Sequence, residues 1–144
     1  MTALVRETYY RALWALLQGV VTSPAIATYD RRLRAMERMG DGELPALFMV
    51  VAKQVTERKS ALPLRRLGAE IFLFVANPDP KTASDIALNG MIDAVEAALD
   101  PGALALQTLG GLVSHCWIEG DTEIFSAPNG TRAAAIVPVM MEVP

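Results

Sequence analysis

The fold is decided by an apolar stretch of strand length, GAEIFLFVA at residues 68–76, which predicts a buried strand. The run NPDP at 77–80 ends it, because proline has no N–H to donate to a ladder. A second apolar run at 46–53, with Val50 and Val51, predicts another buried strand. The polar residues 56–60 connect the two runs, and strands joined in this way most simply pair antiparallel.

Two helices are predicted beside these strands. The first spans about residues 3–18, with Thr2 as N-cap and Gly19 after its end. Its apolar stripe recurs at three-to-four spacing and comprises Val5, Tyr9, Leu13 and Leu16, with Ala12 and Leu17, while Trp14 lies on a flank.

The second helix follows the two strands. Thr82 with Asp85 resembles a capping box, and residues 100–102 end the helix. Asn89-Gly90 is a weak point at which a kink is expected. The apolar face comprises Leu88, Met91, Ile92, Val95 and Leu99.

The last third of the chain is predicted to form strands. Residues 108–112 form a turn, residues 113–125 are strand-like, and Asn129-Gly130 is the strongest hairpin signal in the chain. Residues 131–143 are apolar on both faces, and Pro138 within them implies an edge strand or a bulge. The order of elements predicts an α+β fold, with a mostly antiparallel sheet and two main helices packed on one face.

Composition bounds the function. The chain has 144 residues, which indicates a single domain, 1–144, with 52% hydrophobic and 20% charged residues. The single cysteine excludes an internal disulfide framework, and the single histidine excludes a two-histidine metal site. Arg6, Glu7 and Arg11 interrupt the N-terminal apolar run, so none approaches the roughly 20 residues of a membrane span. We therefore expect a soluble intracellular protein with no membrane association.

Charge is unevenly distributed along the chain. Residues 1–29 carry +1, residues 30–66 carry +4 and residues 67–144 carry −8, for a net charge of −3. A net negative charge argues against a protein that binds nucleic acid through overall positive charge. The split favours head-to-tail association of basic and acidic patches, with two separately solvated faces as the alternative.

No catalytic, metal or cofactor site is predicted. His115 and Cys116 are adjacent on a strand, so their side chains point to opposite faces and cannot pair as nucleophile and base. Glu119, Asp121 and Glu123 alternate around a turn, but ordinary turn chemistry explains them better than a cation site does. Gly110-Gly111 lacks the rest of a phosphate-binding motif and indicates a tight turn.

One basic cluster stands out, formed by Arg31, Arg32, Arg34 and Arg38. Tyr29 is the only aromatic residue near it, whereas single-stranded nucleic-acid sites interleave aromatic and basic residues. A protein interface and a solvated face are the two main interpretations. We take these arginines, together with Glu119, Asp121 and Glu123, as candidate interface residues.

The chain resembles the tail terminator proteins of long-tailed, non-contractile phages, including the lambda-like minor tail protein U group. The resemblance covers nearly the whole chain and rests on RETYYRAL at 6–13, LPALF at 44–48, GAEI at 68–71, LNGMIDA at 88–94, TLGGLV at 108–113 and AAAIVPV at 133–139.

The resemblance implies a virion structural protein that forms a hexameric ring, without catalysis or cofactor. The ring would cap the head-proximal end of the tail tube, contact the tube protein and a head-completion or connector protein, and be assembled in the host cytoplasm. DNA would pass through its lumen without specific recognition. The acidic C-terminal half would then line the lumen, and residues 31–38 would contact neighbouring subunits or the tube. Other head–tail joining proteins, tail tube subunits and a small ligand-binding domain remain as alternatives.

Overall fold

The computed structural model describes residues 5–144 except 23, 59–60, 78, 80, 82, 103–104 and 128–129. The described residues form two α-helices, α1 (Arg6–Leu17) and α2 (Ser84–Leu99). They also form six strands: β1 (Thr28–Asp30), β2 (Ala46–Glu57), β3 (Leu64–Ala76), β4 (His115–Ile118), β5 (Glu123–Ser126) and β6 (Arg132–Val143). The predicted caps Thr2 and Thr82, and Asn129 of the predicted hairpin, lie outside the described residues.

The strands form one sheet in the order β1-β2-β3-β6-β4, and β5 pairs with β6 further along the same side as β4. Antiparallel pairing of β2 with β3, and of β6 with β3, β4 and β5, confirms the predicted α+β fold. The short strand β1 was not predicted, and it pairs parallel with β2 from Thr28 opposite Ala46 to Asp30 opposite Phe48.

Both helices cover the same face of the sheet, as predicted. This helix-covered face carries the odd-numbered residues of β3 and β6, which are buried from Leu67 to Val75 and from Ala133 to Val143. The predicted apolar face of α2 is confirmed, and the helix is continuous through Asn89-Gly90. The side chains that α2 buries in this core are Ser84, Leu88, Met91, Val95 and Leu99.

The predicted stripe of α1 is confirmed at Leu13 and Leu17, but it missed Tyr10 and wrongly included Val5. Tyr10, Leu13 and Leu17 are the buried residues, whereas Val5 is 55% exposed and Tyr9 is only partly buried. Tyr10 tolerates burial because its hydroxyl donates a hydrogen bond of 2.8 Å to the Gly68 carbonyl. That partner lies on β3, so the helix sequence alone could not reveal it.

The opposite face of the sheet is only partly covered. Met36, Met39 and Leu44 pack over Phe48, Phe74 and Ala134 at one end. These three covering residues belong to residues 36–44, hereafter the cover segment, which includes the short 3₁₀ helices Met36–Arg38 and Asp41–Glu43. The rest of this face, which we call the open face, carries half-buried side chains such as Val50, Phe72 and Met140.

A bulge in β2 makes the strands longer than predicted. The register shifts between Val51 and Gln54, and a Cβ built on Gly68 would lie only 2.4 Å from the Lys53 carbonyl oxygen. Glycine thus allows the two backbones to approach. Beyond the bulge the ladder continues to Glu57 opposite Leu64, so the polar connection begins later than predicted.

The strand predicted over residues 113–125 is two strands. β4 ends at Ile118 and β5 starts at Glu123, with Gly120 between them at φ +98°. The predicted hairpin into β6 is confirmed by the pairing of Ser126 with Ala133. Gly130 in its turn has φ +72°.

Pro138 was predicted to mark an edge strand or a bulge. It lies on an inner strand with continuous register along β3, at the point where the ladder on the other side is interrupted between Val139 opposite β4 and Ile136 opposite β5. Its carbonyl accepts a hydrogen bond of 3.0 Å from the Glu119 N–H, so its backbone polar atoms face the β4–β5 side. The backbone nitrogen of Pro138 therefore faces the gap between β4 and β5, where no strand residue needs a hydrogen bond from it. Neither helix in the described part of the chain has the length and hydropathy to cross a membrane.

Candidate functional site

An acidic groove lies on the open face. It has a volume of about 420 Å³, and its rim includes Glu70, Glu119, Asp121 and Glu123. Its floor includes the apolar side chains of Ile136, Pro138 and Met140 on β6. The structure thus brings the three predicted acidic residues together and adds Glu70, which sequence reasoning missed.

The signal for Glu70 was present in the alternation of β3. It is the only charged residue in the stretch 68–76 and lies opposite Val50 on β2 and Pro138 on β6. Alternation places it away from the neighbouring core residues Ala69 and Ile71. The position is half-buried near the centre of the sheet, so its carboxylate projects from the groove wall toward solvent.

The break between β4 and β5 sets the other side of the groove. Glu119 follows β4 and accepts a hydrogen bond from the Trp117 indole N–H, while Glu123 opens β5. Within the described part of the chain, no ion pair engages Glu70, Asp121 or Glu123. Lys53 is the basic residue on the rim, so the groove lining carries a formal excess of three negative charges.

The arrangement gives no support to the cation alternative at these acids. Within the described ranges, no group of three or more histidine, cysteine, aspartate or glutamate side chains is placed to hold a metal ion. The acids line an open groove instead.

Residues 31–38, the basic segment, lie elsewhere and divide into two sets. Arg31 reaches Glu7 on α1 at 2.5 Å, and Arg34 reaches Glu43 at 2.7 Å. These guanidinium groups hold the pKa of Glu7 below its ordinary value and contribute to lowering that of Glu43, for which the Gly40 N–H bond is the larger cause.

Arg32 and Arg38 form the second set. Both are exposed, and neither makes an ion pair with another residue that the structure describes. Leu33 beside Arg32 is 42% exposed, an unusual position for leucine between two arginines. The basic segment therefore presents two free cations and an apolar side chain to solvent.

The basic segment and the acidic turn at 119–123 lie toward opposite edges of the sheet, and the groove extends from that turn across β6 and β3 to Lys53 on β2. The basic segment follows β1 at one edge, whereas residues 119–123 join β4 to β5 at the other. The structure thus does not bring the arginines and the C-terminal acids together within one copy. Each surface is available to a separate partner.

His115 and Cys116 point to opposite faces, as predicted. His115 pairs in register with Glu142 and stacks on Trp117 with ring centroids 4.9 Å apart, on the open face. Cys116 is buried opposite Met141, and burial raises the pKa of its thiol to about 12. A thiol that is neutral at physiological pH is a poor nucleophile. Gly110 and Gly111 have φ of +77° and +90°, in the tight turn that was predicted.

Comparison with known proteins gives structural likenesses but no family. No protein-family model and no curated protein matches the chain. A chain of the solved structure titled "Virion of native gene transfer agent (GTA) particle" matches with a TM-score of 0.48 and 11% sequence identity. The match covers 93% of this chain and 90% of the other. A likeness this distant carries no argument about function.

Proposed function

We propose that this chain is a structural protein of a phage-like virion that assembles into a ring at the head-proximal end of the tail tube. There it ends tube growth and joins the tail to the head, without catalysis. The sequence resemblance to tail terminators supports this role. The observation that carries it is the separation of a basic and an acidic surface toward opposite edges of one sheet.

Two unlike, complementary surfaces favour head-to-tail association, because each copy can then bind a neighbour on either side. Such heterologous contacts close into a ring when the rotation between copies divides a full turn. The resemblance implies six copies.

The outer face of α2 suits the lumen of such a ring. Asp85, Asp93 and Glu96 are exposed on it, and the helix contains no basic residue. An acidic lining repels phosphates, so DNA would pass without being held. This assigns the lumen to α2 rather than to the whole acidic C-terminal half, and leaves the acidic groove for contacts between subunits.

The test combines the mass in solution with an assay on growing tubes. Light scattering should show a species of about 93 kDa, six times the 15.5 kDa chain. Added to polymerising tube subunits of the same particle, the protein should bind tube ends and shorten the tubes seen by electron microscopy. Long tubes formed by the chain alone would identify a tube subunit instead. A compact dimer that leaves tube length unchanged would contradict both roles.

A further inference from the structure

We propose that the acidic groove of one copy receives the exposed tip of the basic segment, Arg32 and Leu33 with Arg38, from a second copy of this chain. The inference rests on the proposed function only in that it names the contact between neighbours in the ring. Because it concerns two defined surfaces, this contact can be disproved while the proposed ring remains supported.

The groove requires a cationic partner with an apolar component. Its rim carries Glu70, Asp121 and Glu123, none of which is ion-paired within the described chain, above a floor that includes Ile136 and Met140. Arginine suits such a rim because its guanidinium binds carboxylates through two parallel hydrogen bonds. A leucine side chain suits the apolar floor.

The basic segment offers that combination in a preorganised form. Arg31 and Arg34 pair with Glu7 and Glu43 of the same copy, on either side of Arg32 and Leu33. Arg32, Leu33 and Arg38 remain exposed and line one shallow depression. A segment held in place before binding loses less conformational entropy when it docks.

Self-pairing of like surfaces is disfavoured. Two copies related by a two-fold axis through the groove would place carboxylates against carboxylates. No residue belongs to both surfaces, so one copy can use both at once. The contact is therefore head-to-tail and can repeat from copy to copy.

Charge reversal tests the contact by sedimentation equilibrium at low and moderate salt. We expect wild-type protein to associate. The tip variant R32E/R38E and the groove variant D121K/E123K should each raise the dissociation constant by at least about 100-fold. The quadruple variant that combines R32E/R38E with D121K/E123K should associate again, because its two surfaces carry opposite charges once more. R58E and E96K, which change exposed charges outside both surfaces, should associate like wild type.

Mixing the two reversed variants gives a sharper readout. The tip variant keeps an intact groove and the groove variant keeps an intact tip, so one native contact is possible per pair. The reversed tip and the reversed groove are complementary as well, so an equimolar mixture should associate beyond the roughly 31 kDa of a pair, whereas each variant alone should stay near 15.5 kDa. Wild-type protein that stays monomeric throughout, or reversed variants that associate like wild type, would overturn the contact. The tube-length assay would then judge the ring on its own.

Disulfide trapping tests the contact independently of charge. The variant L33C/M140C should form a ladder of covalently linked copies under mild oxidation, whereas the control L33C/I86C, with its second thiol on exposed α2, should not. Cys116 should stay unreactive, because burial raises its pKa to about 12. Equal ladders from both variants would count against the groove.

Discussion

The two faces of the sheet are made from the same strands but serve different purposes. On β3, Ile71 is fully buried under the helices, while its neighbour Phe72 is half-buried on the open face. The helix-covered face holds the large core, and the open face holds a small cover at one end and the acidic groove. Because alternation separates these positions residue by residue, the groove can be changed without altering the core.

The largest expected effect comes from truncating one isoleucine on each face. Ile71→Ala should lower the free energy of unfolding by about 2–5 kcal/mol, because it leaves a cavity under the helices. Ile136→Ala on the half-buried open face should cost about 1 kcal/mol or less. Urea unfolding followed by circular dichroism measures both. Equal losses would mean that the open face contributes to the core as much as the other does.

The second comparison uses two glycines. Gly68→Ala should destabilise by about 1–3 kcal/mol, because the new Cβ would lie 2.4 Å from the Lys53 carbonyl oxygen at the bulge. Gly90→Ala on α2 meets no atom within 4 Å and should stabilise by roughly 1 kcal/mol through helix propensity. Opposite signs in the same unfolding assay would confirm that the bulge requires glycine, and a neutral Gly68→Ala would contradict it.

The sequence could predict the sheet and the helices but not which face the helices cover. β6 is apolar at both odd and even positions, so alternation defines two faces but does not show which one the helices cover. Glu70 is the charged residue within 68–76 of β3 that distinguishes them, and its role depends on the partner strands β2 and β6. The strand β1 escaped prediction because three residues carry too little periodicity.

The candidate surfaces, too, could be predicted from the sequence only in part. Uneven charge along the chain was visible, and so were the arginines and the three acids near residue 120. Which arginines remain free was not visible, because Arg31 pairs with Glu7 and Arg34 with Glu43 across contacts that only folding creates. The groove itself needs β2, β3 and β6 side by side, so it is a property of topology rather than of a motif.

A smaller loss of stability is expected when the contacts between Arg132 and the cover segment are removed. Arg132 donates to the Met36 carbonyl at 2.6 Å and pairs with Asp41 at 2.8 Å. Arg132→Met should destabilise by about 1–2 kcal/mol, since Asp41 is exposed and its pair adds little. Hydrogen exchange should speed up in residues 36–44 and stay unchanged in α2. Uniformly faster exchange would mean that the cover opens only with the whole fold.

The smallest effect is the pH dependence of the same cover segment. Glu43 accepts from the Gly40 N–H at 2.9 Å and pairs with Arg34, and both contacts hold its pKa below the ordinary 4.5. A carboxylate with a lowered folded pKa stabilises the protein above its unfolded pKa, and loses that contribution as the pH falls through the folded value. Thermal unfolding of wild type and Glu43→Gln should therefore differ most at neutral pH, and the difference should shrink as the pH falls below 4.5. Glu96→Gln on exposed α2 is the matched control and should follow wild type at every pH. A constant offset for Glu43→Gln would mean that the charge of the carboxylate does not stabilise the cover segment.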